Sequence, residues 1–573
     1  MVLMNTPTVV ASPLHLSYQT SLASWVRSRG KEPEIRAALE VHQEALLLLW
    51  HLDLGPLQDD LRACYAPSPR GGDPWMPTSM LRTLILAAFI GAPELHGWVS
   101  RLTESPVLRA LSGFLDGDRP GIGTFYDFFH RLHDGWVLPG TRKLAPSVIE
   151  RARTIEAREV PRAARDEAAE APVARPVAGP EVAKHKLTAA ERRTAAEKRK
   201  AEKKEEKARR AAERRKERAK HDPKWSTENA VKSIEARGSP GVDLDRRLGE
   251  LLWKGGVLPS IAVGMLPKEL VVAGDGSSLA TAASGLGIRV CDHPPREHCA
   301  CKRRFADPDA ARGFDSYRKC FYFGYKFYEM IFPDAALPLM TGLHGANVPD
   351  GYSAPLALDA LLRLNAAHGN LLKITHFIGD TGHDNERLAR WLLEQSIQPV
   401  IAISSNVPRI HPERPDLPLS ERAVPLCEGG VEMASWGTAG PLKPVFVCPV
   451  KAGKLATCPK APADNPAWVC RPGTELAPTV ALNSEDNPRL FPPISRNSKA
   501  FAKHYAKRSA CERSNNTKKG PHALEACRHR RISFWKIRVT LIALLQHAKA
   551  WVAGLSARDL LEGLLSGTTF SSA

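Results

Sequence analysis

The sequence of 573 residues contains no uninterrupted apolar run long enough to cross a membrane, so no membrane partner is expected. Its longest apolar segments, residues 39–52 and 538–551, are broken by His, Gln, Glu or Lys, which is typical of helices in a protein core. The N-terminus also lacks the basic stretch and long apolar stretch of an export signal. Eleven cysteines are an odd number, so we expect reduced thiols or metal ligands in the cytoplasm and no set of disulfides.

Acidic residues are fewer than basic ones, with 62 Asp or Glu against 80 Lys or Arg, and the formal net charge at pH 7 is +18. This balance favours a polyanionic partner, with nucleic acid as the first candidate, although a basic protein can also simply present a solvated surface. Residues 181–220 hold 17 Lys or Arg and 8 Glu, a net charge of +9, and almost no apolar residue except Ala. They predict a solvated helix or partly disordered tether, which either grips DNA phosphates or acts as a spacer.

Composition and hydrophobic period divide the chain into five predicted regions. Residues 1–148 have apolar residues at helical spacing, and residues 149–235 form a charged helical linker. Mixed strand and helix patterns occupy residues 236–409 and 496–573, separated by a Pro- and Gly-rich, β-rich insertion at 410–495. The pattern from residue 265 onward is three strands, a helix, a strand, a helix and a strand. It predicts an α/β fold with a ribonuclease-H-like mixed sheet.

Two aspartates follow apolar strand patterns. Asp275 ends the sequence LVVAGD and is followed by Gly276, and Asp380 ends the sequence KITHFIGD. A carboxylate at such a strand end points from a rigid sheet into a crevice, although an aspartate there can also simply cap the next turn or helix. Asp384 lies four residues after Asp380 and is a further candidate for the same site.

A third set of polar residues shares one face of a predicted helix: Tyr505, Arg508, Glu512 and Lys519. Their spacing of i, i+3, i+7 and i+14 places them within roughly 60° of one another on an α-helix. That face would present a phenol, a guanidinium, a carboxylate and an ammonium group. An ordinary surface helix can show the same mixture of charges. The Gly-Pro pair after Lys519 predicts the end of this helix.

These residues resemble a known family. The spacing Tyr-x2-Arg-x3-Glu-x6-Lys resembles the Y-R-E-K signature of DDE transposases of the insertion-sequence-four type. The sequences GDGSS around Asp275 and IGDTGHD around Asp380 are similar to the two aspartate motifs of that family, which often has Tyr in the place of His383. The sequence FGYK, ending at Lys326, is similar to the strand that commonly follows the first aspartate. The resemblance covers roughly residues 265–540, and the helical N-terminus is similar as well.

The resemblance implies a DNA transposase with a ribonuclease-H-like catalytic core. Asp275, Asp380 and Glu512 would be its catalytic carboxylates and would hold Mg²⁺, with Mn²⁺ as an alternative ion. Two hard cations bridged by carboxylates can activate water and stabilise the leaving oxygen of a phosphodiester. Such a site would cleave the element ends and then join the freed 3′-hydroxyl to target DNA.

The same resemblance implies contacts with double-stranded DNA. Arg508 and Lys519 would contact phosphates near the cleaved bond, with Tyr505 packed beside them and Lys326 as a further DNA-binding residue. The N-terminal helices would bind the terminal inverted repeats of the element, and the other DNA partner would be the target. A homodimer would pair the two ends in a synaptic complex, associated with the nucleoid of a prokaryotic cell.

The segment between Asp380 and Glu512 contains 131 residues, more than a minimal ribonuclease-H-like core needs. Residues 410–495 fit the β-rich insertion of this family, which in some relatives supplies a Trp that stacks on a flipped base. Trp436 and Trp468 are candidates for such stacking, and the alternative for either is a place in the protein core.

A group of soft metal ligands lies close together in the sequence: Cys291, His293, His298, Cys299 and Cys301, with Cys320 further on. The group could hold a structural Zn²⁺ ion. Its spacing matches no established zinc pattern, so reduced thiols and surface histidines are the alternative.

Three other functions are compatible with the sequence. The first is a ribonuclease-H-like nuclease without strand transfer, which a joined donor–target product would distinguish from a transposase. The second is a non-catalytic DNA-binding protein derived from a transposase, against which the presence of all three carboxylates argues. The third is a zinc-dependent adaptor with a charged helical arm.

Overall fold

The structure is a computed structural model that describes ten stretches of the chain: residues 11–65, 74–115, 119–135, 157–158, 206, 224–236, 244–290, 303–411, 413–465 and 479–567. The chain forms two compact units. The larger unit contains Met1–Glu156, Thr227–Gly287 and Phe305–Ala573, and the smaller contains Ala157–Ser226 and Ile288–Arg304. The described part of the smaller unit has three paired antiparallel strands: Ala157–Arg158, Ile288–Arg289 and Arg303–Arg304.

Helices make up the described N-terminal region of the larger unit: α1 (Pro13–Arg29), α2 (Pro33–Val41), α3 (Gln43–His51), α4 (Gln58–Arg62), α5 (Pro77–Phe89), α6 (Leu95–Glu104), α7 (Pro106–Ser112) and α8 (Ile122–Asp134). Proline begins four of them, because the first helical N–H has no intrahelical partner to lose. Ser12 and Ser105 cap α1 and α7 by accepting a backbone N–H. The predicted all-α N-terminal region is confirmed.

Three short helices lead into the sheet: α9 (Thr227–Glu235), α10 (Leu244–Leu252) and α11 (Leu258–Ala262). A π-helical turn at Trp253–Val257 joins α10 to α11. The predicted charged linker at 149–235 lies largely outside the described residues, as does the Cys/His group from Cys291 to Cys301. The zinc hypothesis therefore stays a prediction.

A mixed sheet forms the centre of the larger unit: β1 (Glu269–Ala280), β2 (Ala311–Asp315), β3 (Cys320–Phe332), β4 (Leu337–Gly345), β5 (Lys373–Gly379) and β6 (Gln398–Ile401). Strand β1 pairs antiparallel with β3 on one edge and parallel with β5 on the other, and β6 extends the sheet parallel to β5. Strands β2 and β4 share the far edge of β3, both antiparallel. An antiparallel start followed by a parallel end confirms the predicted ribonuclease-H-like sheet.

Helices connect and cover these strands: α12 (Asp350–Ala367), α13 (Glu386–Glu394), α14 (Lys499–Tyr505), α15 (Ser509–Lys519), α16 (Ile532–Trp551) and α17 (Ala557–Ser566). Helix α16 is buried along most of its length and packs between β4 and the N-terminal α5. The predicted helix that carries the Y-R-E-K residues is interrupted, because a 3₁₀ turn at Ala506–Arg508 separates α14 from α15. It ends at Lys519, as predicted.

The segment between β6 and α14, residues 402–498, contains a small antiparallel sheet of β7 (Ala434–Thr438), β8 (Pro444–Val447) and β9 (Thr479–Ala481). We call it the intervening segment. Its apolar cluster includes Met433, Phe446 and Phe491. The predicted boundaries at 410 and 495 stay predictions. None of the described helices is long and apolar enough to cross a membrane.

Candidate active site

Two carboxylates lie where the parallel pairing of β1 and β5 ends. The expected strand end at Asp275 is wrong, because pairing with β3 continues β1 to Ala280 and leaves Asp275 inside the strand. The β1–β5 pairing ends at Ala273 and Ile378, so Asp275 projects two residues past the last pair. Asp380 directly follows the last residue of β5. The parallel direction of β1 and β5 brings both aspartates to the same edge of the sheet.

Asp275 is buried and is influenced by the charges of neighbouring acidic groups. Burial, followed by the negative charges of Asp350 and Asp380, raises the pKa of Asp275 to about 7. His383 and Arg508 act in the opposite direction. The charged form of Asp275 is therefore disfavoured as long as no cation lies beside it.

Asp380 is in a different environment. Its Oδ1 accepts a hydrogen bond of 2.9 Å from the Gly382 N–H and lies 2.7 Å from Nδ1 of the buried His383. Burial raises the pKa of Asp380, but the His383 hydrogen bond and charge, with Gly382 and Arg508, outweigh it and lower the pKa overall. Asp380 is thus ionised at neutral pH.

A buried chain of hydrogen bonds holds His383 in place. Its Nε2 lies 2.8 Å from the hydroxyl of Tyr328 on β3. Burial raises the pKa of Tyr328 well above its usual value, so the phenol keeps its proton. An ionised Asp380 can only accept. The Nδ1 of His383 can therefore donate to Asp380 while Nε2 bonds with the Tyr328 hydroxyl, so the imidazole links the two residues.

Glu512 lies on α15 but does not join the two aspartates. Its side chain is 56% exposed, and its Oε1 accepts a hydrogen bond of 2.5 Å from Arg508. Among the described residues, no three His, Cys, Asp or Glu side chains are grouped so that they could hold a metal ion. The structure therefore brings Asp275 and Asp380 together and leaves Glu512 paired with a guanidinium.

Arg508 connects the two parts of the site. Burial lowers its pKa, but hydrogen bonding to Glu512, the charge of Glu512 and that of Asp275 raise it overall. Tyr505 is half-buried and stacks on Phe501, with ring centroids 5.5 Å apart. The guanidinium thus interacts electrostatically with both Asp275 and Glu512, and Tyr505 lies beside it.

The two predicted phosphate-binding lysines are each paired with an acid. Lys519 Nζ lies 3.2 Å from Oε1 of Glu525, and Lys326 Nζ lies 3.2 Å from Oδ2 of Asp350. Both pairs are only partly buried, so a phosphate could compete for either ammonium group.

Asp350 is a residue of the site that the sequence did not reveal. It begins α12, and its Oδ1 is buried without a hydrogen-bond partner. A Cβ on Gly276 would lie 1.9 Å from that oxygen, so only glycine allows Asp350 to approach β1 this closely. The one sequence signal was an acidic residue in the first turn of a helix, which usually only complements the helix dipole.

Asp384 has a structural role. Its carboxylate accepts two hydrogen bonds from Arg489, of 2.9 and 3.1 Å, and one of 2.7 Å from the Ser404 N–H. Its side chain is almost fully buried. Both oxygens are occupied by the intervening segment, so Asp384 anchors that segment and does not extend the site.

Trp436 lies on β7 with 64% of its surface exposed. The alternative of a core position is therefore wrong for Trp436, whereas Trp468 lies outside the described residues. Cys320, the one described member of the proposed zinc group, is an exposed free thiol at the start of β3.

Comparison with known proteins gives little. No family model matches the chain, and no curated protein matches it. A cryo-EM structure of the piggyBac transposase synaptic complex with hairpin DNA aligns over 52% of this chain and 52% of that chain, at 12% identity and a TM-score of 0.24. Likeness at this level establishes neither a shared fold nor a shared function.

Proposed function

We propose that the chain is a DNA transposase in which Asp275, Asp380 and Glu512 are the catalytic carboxylates. The observation that carries the proposal is the pair of aspartates at the point where the parallel pairing of β1 and β5 ends in a ribonuclease-H-like sheet. Burial, followed by the negative charges of Asp350 and Asp380, raises the pKa of Asp275 to about 7. A protein gains nothing structurally from holding such a pair together, and perturbed carboxylates in a crevice favour a functional site.

The donor set fits a hard divalent cation. The oxygens near the strand ends belong to carboxylates, the ligands preferred by Mg²⁺ and Mn²⁺. The Oδ1 of Asp350, buried beside Gly276 without a hydrogen-bond partner, is a further carboxylate oxygen, while Oδ2 of the same carboxylate pairs with Lys326. Asp275 and Asp380 would hold the ion, with Glu512 as the third ligand. When bound, such ions supply an activated water and stabilise the leaving oxygen of a phosphodiester.

The Arg508–Glu512 pair accounts for the position of Glu512. A DNA phosphate is a competing acceptor for Arg508, and a guanidinium binds phosphate in a two-point geometry. Transfer of Arg508 to a phosphate would release Glu512, which is exposed and free to turn toward the aspartates. Substrate binding and completion of the carboxylate set would then be one event, which limits cleavage to DNA held at the site.

The DNA partners follow from this proposal and the positive charge. Terminal repeats and target DNA would both be duplex, with Arg508, Lys519 and Lys326 on phosphates. Trp436 is exposed as stacking on a base requires. Pairing two element ends calls for two protomers, and the activity would be exerted at the nucleoid.

The test is a strand-transfer assay with the full chain and a duplex that carries the DNA flanking its gene. We expect Mg²⁺- or Mn²⁺-dependent cleavage and a joined donor–target product from the wild type. Glu512→Gln and Asp275→Asn should abolish cleavage and keep DNA binding. Glu386→Gln, which alters an exposed carboxylate on α13, is the matched control and should be fully active.

Each other outcome contradicts part of the proposal. Cleavage without a joined product would indicate a nuclease. DNA binding without cleavage by the wild type would indicate a non-catalytic DNA-binding protein. Unchanged cleavage by Glu512→Gln would remove Glu512 from the catalytic set.

A further inference from the structure

The hairpin formed by β2 and β3 exposes three aromatic side chains. Phe314 is 53% exposed, Tyr317 93% and Phe321 78%. Phe314 and Phe321 are opposite each other in the register, with ring centroids 5.1 Å apart in an edge-on arrangement. We call these three residues the aromatic tip. Exposed rings of this size are costly in water, so a clustered set indicates a binding surface.

Hydrogen bonds to the Asp315 side chain, and not burial of the rings, stabilise the turn between β2 and β3. Asp315 Oδ1 accepts the N–H groups of Tyr317 at 3.0 Å and Arg318 at 2.9 Å. Its Oδ2 accepts a hydrogen bond of 2.6 Å from the Ser278 hydroxyl on β1. These bonds lower the pKa of Asp315 and keep it ionised. The aromatic tip is therefore presented on a fixed support, which reduces the entropy cost of binding.

The turn that carries the aromatic tip is linked to Lys519, the last residue of α15, through a shared ion-pair partner. Arg318 donates two hydrogen bonds, of 3.1 and 3.2 Å, to the carboxylate of Glu525. The same carboxylate pairs with Lys519, a proposed phosphate contact. The tip and the last residue of the Y-R-E-K set therefore share one anchoring carboxylate.

The aromatic tip also lies on the functional face of the sheet. Glu329 is directly opposite Asp275 in the β1–β3 register, so their side chains share a face. Phe321 precedes Glu329 on β3 by an even number of residues, which places its side chain on that same face. Tyr325 and Phe327 lie between Glu329 and Phe321 on this face and are fully buried, so the aromatic tip is the part of the face on β3 that is open to a ligand.

We propose that the aromatic tip stacks on unpaired bases of DNA beside the cleaved phosphate. The inference rests on the proposed function, because the position of the phosphate follows from it. The exposed Arg312 and Lys319 flank the rings, whereas both carboxylate oxygens of Asp315 already accept hydrogen bonds. The surface around the rings therefore presents positive charge, which favours DNA over a protein partner. Aromatic rings next to cations are the usual means of holding single-stranded bases.

The test compares wild type with the triple variant Phe314→Ala, Tyr317→Ala, Phe321→Ala. The probe is a duplex with a short unpaired end that contains 2-aminopurine, in the absence of divalent ions. We expect the wild type to quench the probe. The triple variant should lose the quenching and bind about tenfold or more weakly, since each stacked base contributes on the order of 1–3 kcal/mol. Binding to a fully paired, blunt-ended duplex of the same length should be unchanged.

Controls separate stacking from general damage. Phe314→Leu, Tyr317→Leu, Phe321→Leu keeps apolar side chains without aromatic faces and should behave like the alanine variant. Val41→Ala, at an exposed apolar residue on α2, should bind like the wild type. Thermal unfolding of all variants should match the wild type, because the rings are exposed.

Two results would overturn the inference. One is equal affinity and equal quenching for wild type and the triple variant. The other is loss of self-association in sedimentation with unchanged DNA affinity, which would make the tip a contact between copies of the chain. Quenching by a wild type that fails to cleave in Mg²⁺ would instead contradict the proposed function and leave the tip assignment in place.

Discussion

At the scale of single residues, His383 forms one hydrogen bond with the carboxylate of Asp380 and another with the hydroxyl of Tyr328. We expect His383→Phe to raise the pKa of Asp380 and to leave the buried Tyr328 hydroxyl without a partner. The second effect should cost about 1–3 kcal/mol of unfolding free energy. Urea unfolding measures that loss, and the pH profile of cleavage should shift toward higher pH.

His383→Tyr provides the informative comparison, because a phenol can still donate to Asp380. It should restore part of the cleavage that His383→Phe loses. Equal cleavage by His383→Phe and wild type would show that the hydrogen bond to Asp380 has no part in the reaction.

Gly276 is required by the carboxylate that approaches it. Gly276→Ala should destabilise the protein by about 1–3 kcal/mol, because the new Cβ would overlap Asp350 Oδ1. Removing that oxygen in Gly276→Ala, Asp350→Ala should recover most of the loss. Gly121→Ala is the control, since nothing lies within 4 Å of its Cβ position. Denaturant midpoints of the wild type, Gly276→Ala, Asp350→Ala, the double variant and the control give the comparison, and additive effects of the two single substitutions would refute the contact.

At the scale of elements, a buried ion pair fastens α15 to the sheet. Lys518 Nζ lies 2.5 Å from Oε2 of Glu329, and both side chains are fully buried. Ser514 at 2.9 Å and Gln546 at 2.5 Å complete the surroundings of the ammonium group. The pair joins the helix that carries Glu512 to the strand opposite Asp275, so it fixes the two parts of the site relative to each other.

Breaking this pair should be costly. Lys518→Met leaves Glu329 charged and buried, and we expect a loss of about 3–5 kcal/mol. Glu329→Gln, Lys518→Met removes both charges and should lose less than the single variant. Lys373→Met breaks an exposed pair with Glu269 and should cost no more than about 1 kcal/mol. Urea unfolding that ranks the exposed pair above the buried one would contradict this assignment.

Strands β1, β3, β4, β5 and β6 and the two helices between them could be predicted because each is a local pattern of apolar residues. Strand β2 was missed, because its sequence ARGFD has no apolar strand pattern and it forms only by pairing with β3. That Asp275 and Asp380 lie near each other could be predicted for a similar reason, since apolar strand patterns are visible in sequence, whereas the place of Glu512 beside them stays a prediction. Asp350 and the Glu329–Lys518 pair could not, because each depends on contacts between distant segments. The Arg508–Glu512 pairing was also missed, as a shared helix face does not say which neighbours bond.

At the scale of the whole molecule, acid should unfold the protein through histidines that are buried neutral. His547 donates from Nε2 to the Pro338 carbonyl and accepts from the Ser260 hydroxyl, each at 2.7 Å. It thereby joins α16 to β4 and α11. Burial, with a smaller contribution from the charge of Lys518, lowers the pKa of His547 to about 4.

The lowered pKa of His547 determines how the unfolding free energy depends on pH. Because the folded pKa lies below the unfolded value, the stabilisation is present above pH 6.5 and is lost as pH falls toward 4. For His547 the loss should be on the order of 3 kcal/mol. Unfolding free energy measured between pH 7 and pH 4 should fall less steeply in His547→Gln. An identical slope would show that other groups determine the acid sensitivity.

The two ends of the intervening segment lie close together. Arg496, near its end, is buried and donates a hydrogen bond of 3.0 Å to the carbonyl of Ile401, the last residue of β6 before the segment begins. A segment whose two ends meet can be gained, lost or exchanged without altering the path of the chain around it. The intervening segment, residues 402–498, could therefore be replaced while the strands around it keep their order. A chain with a short turn in its place should still fold, provided that Asp384 is given a new partner.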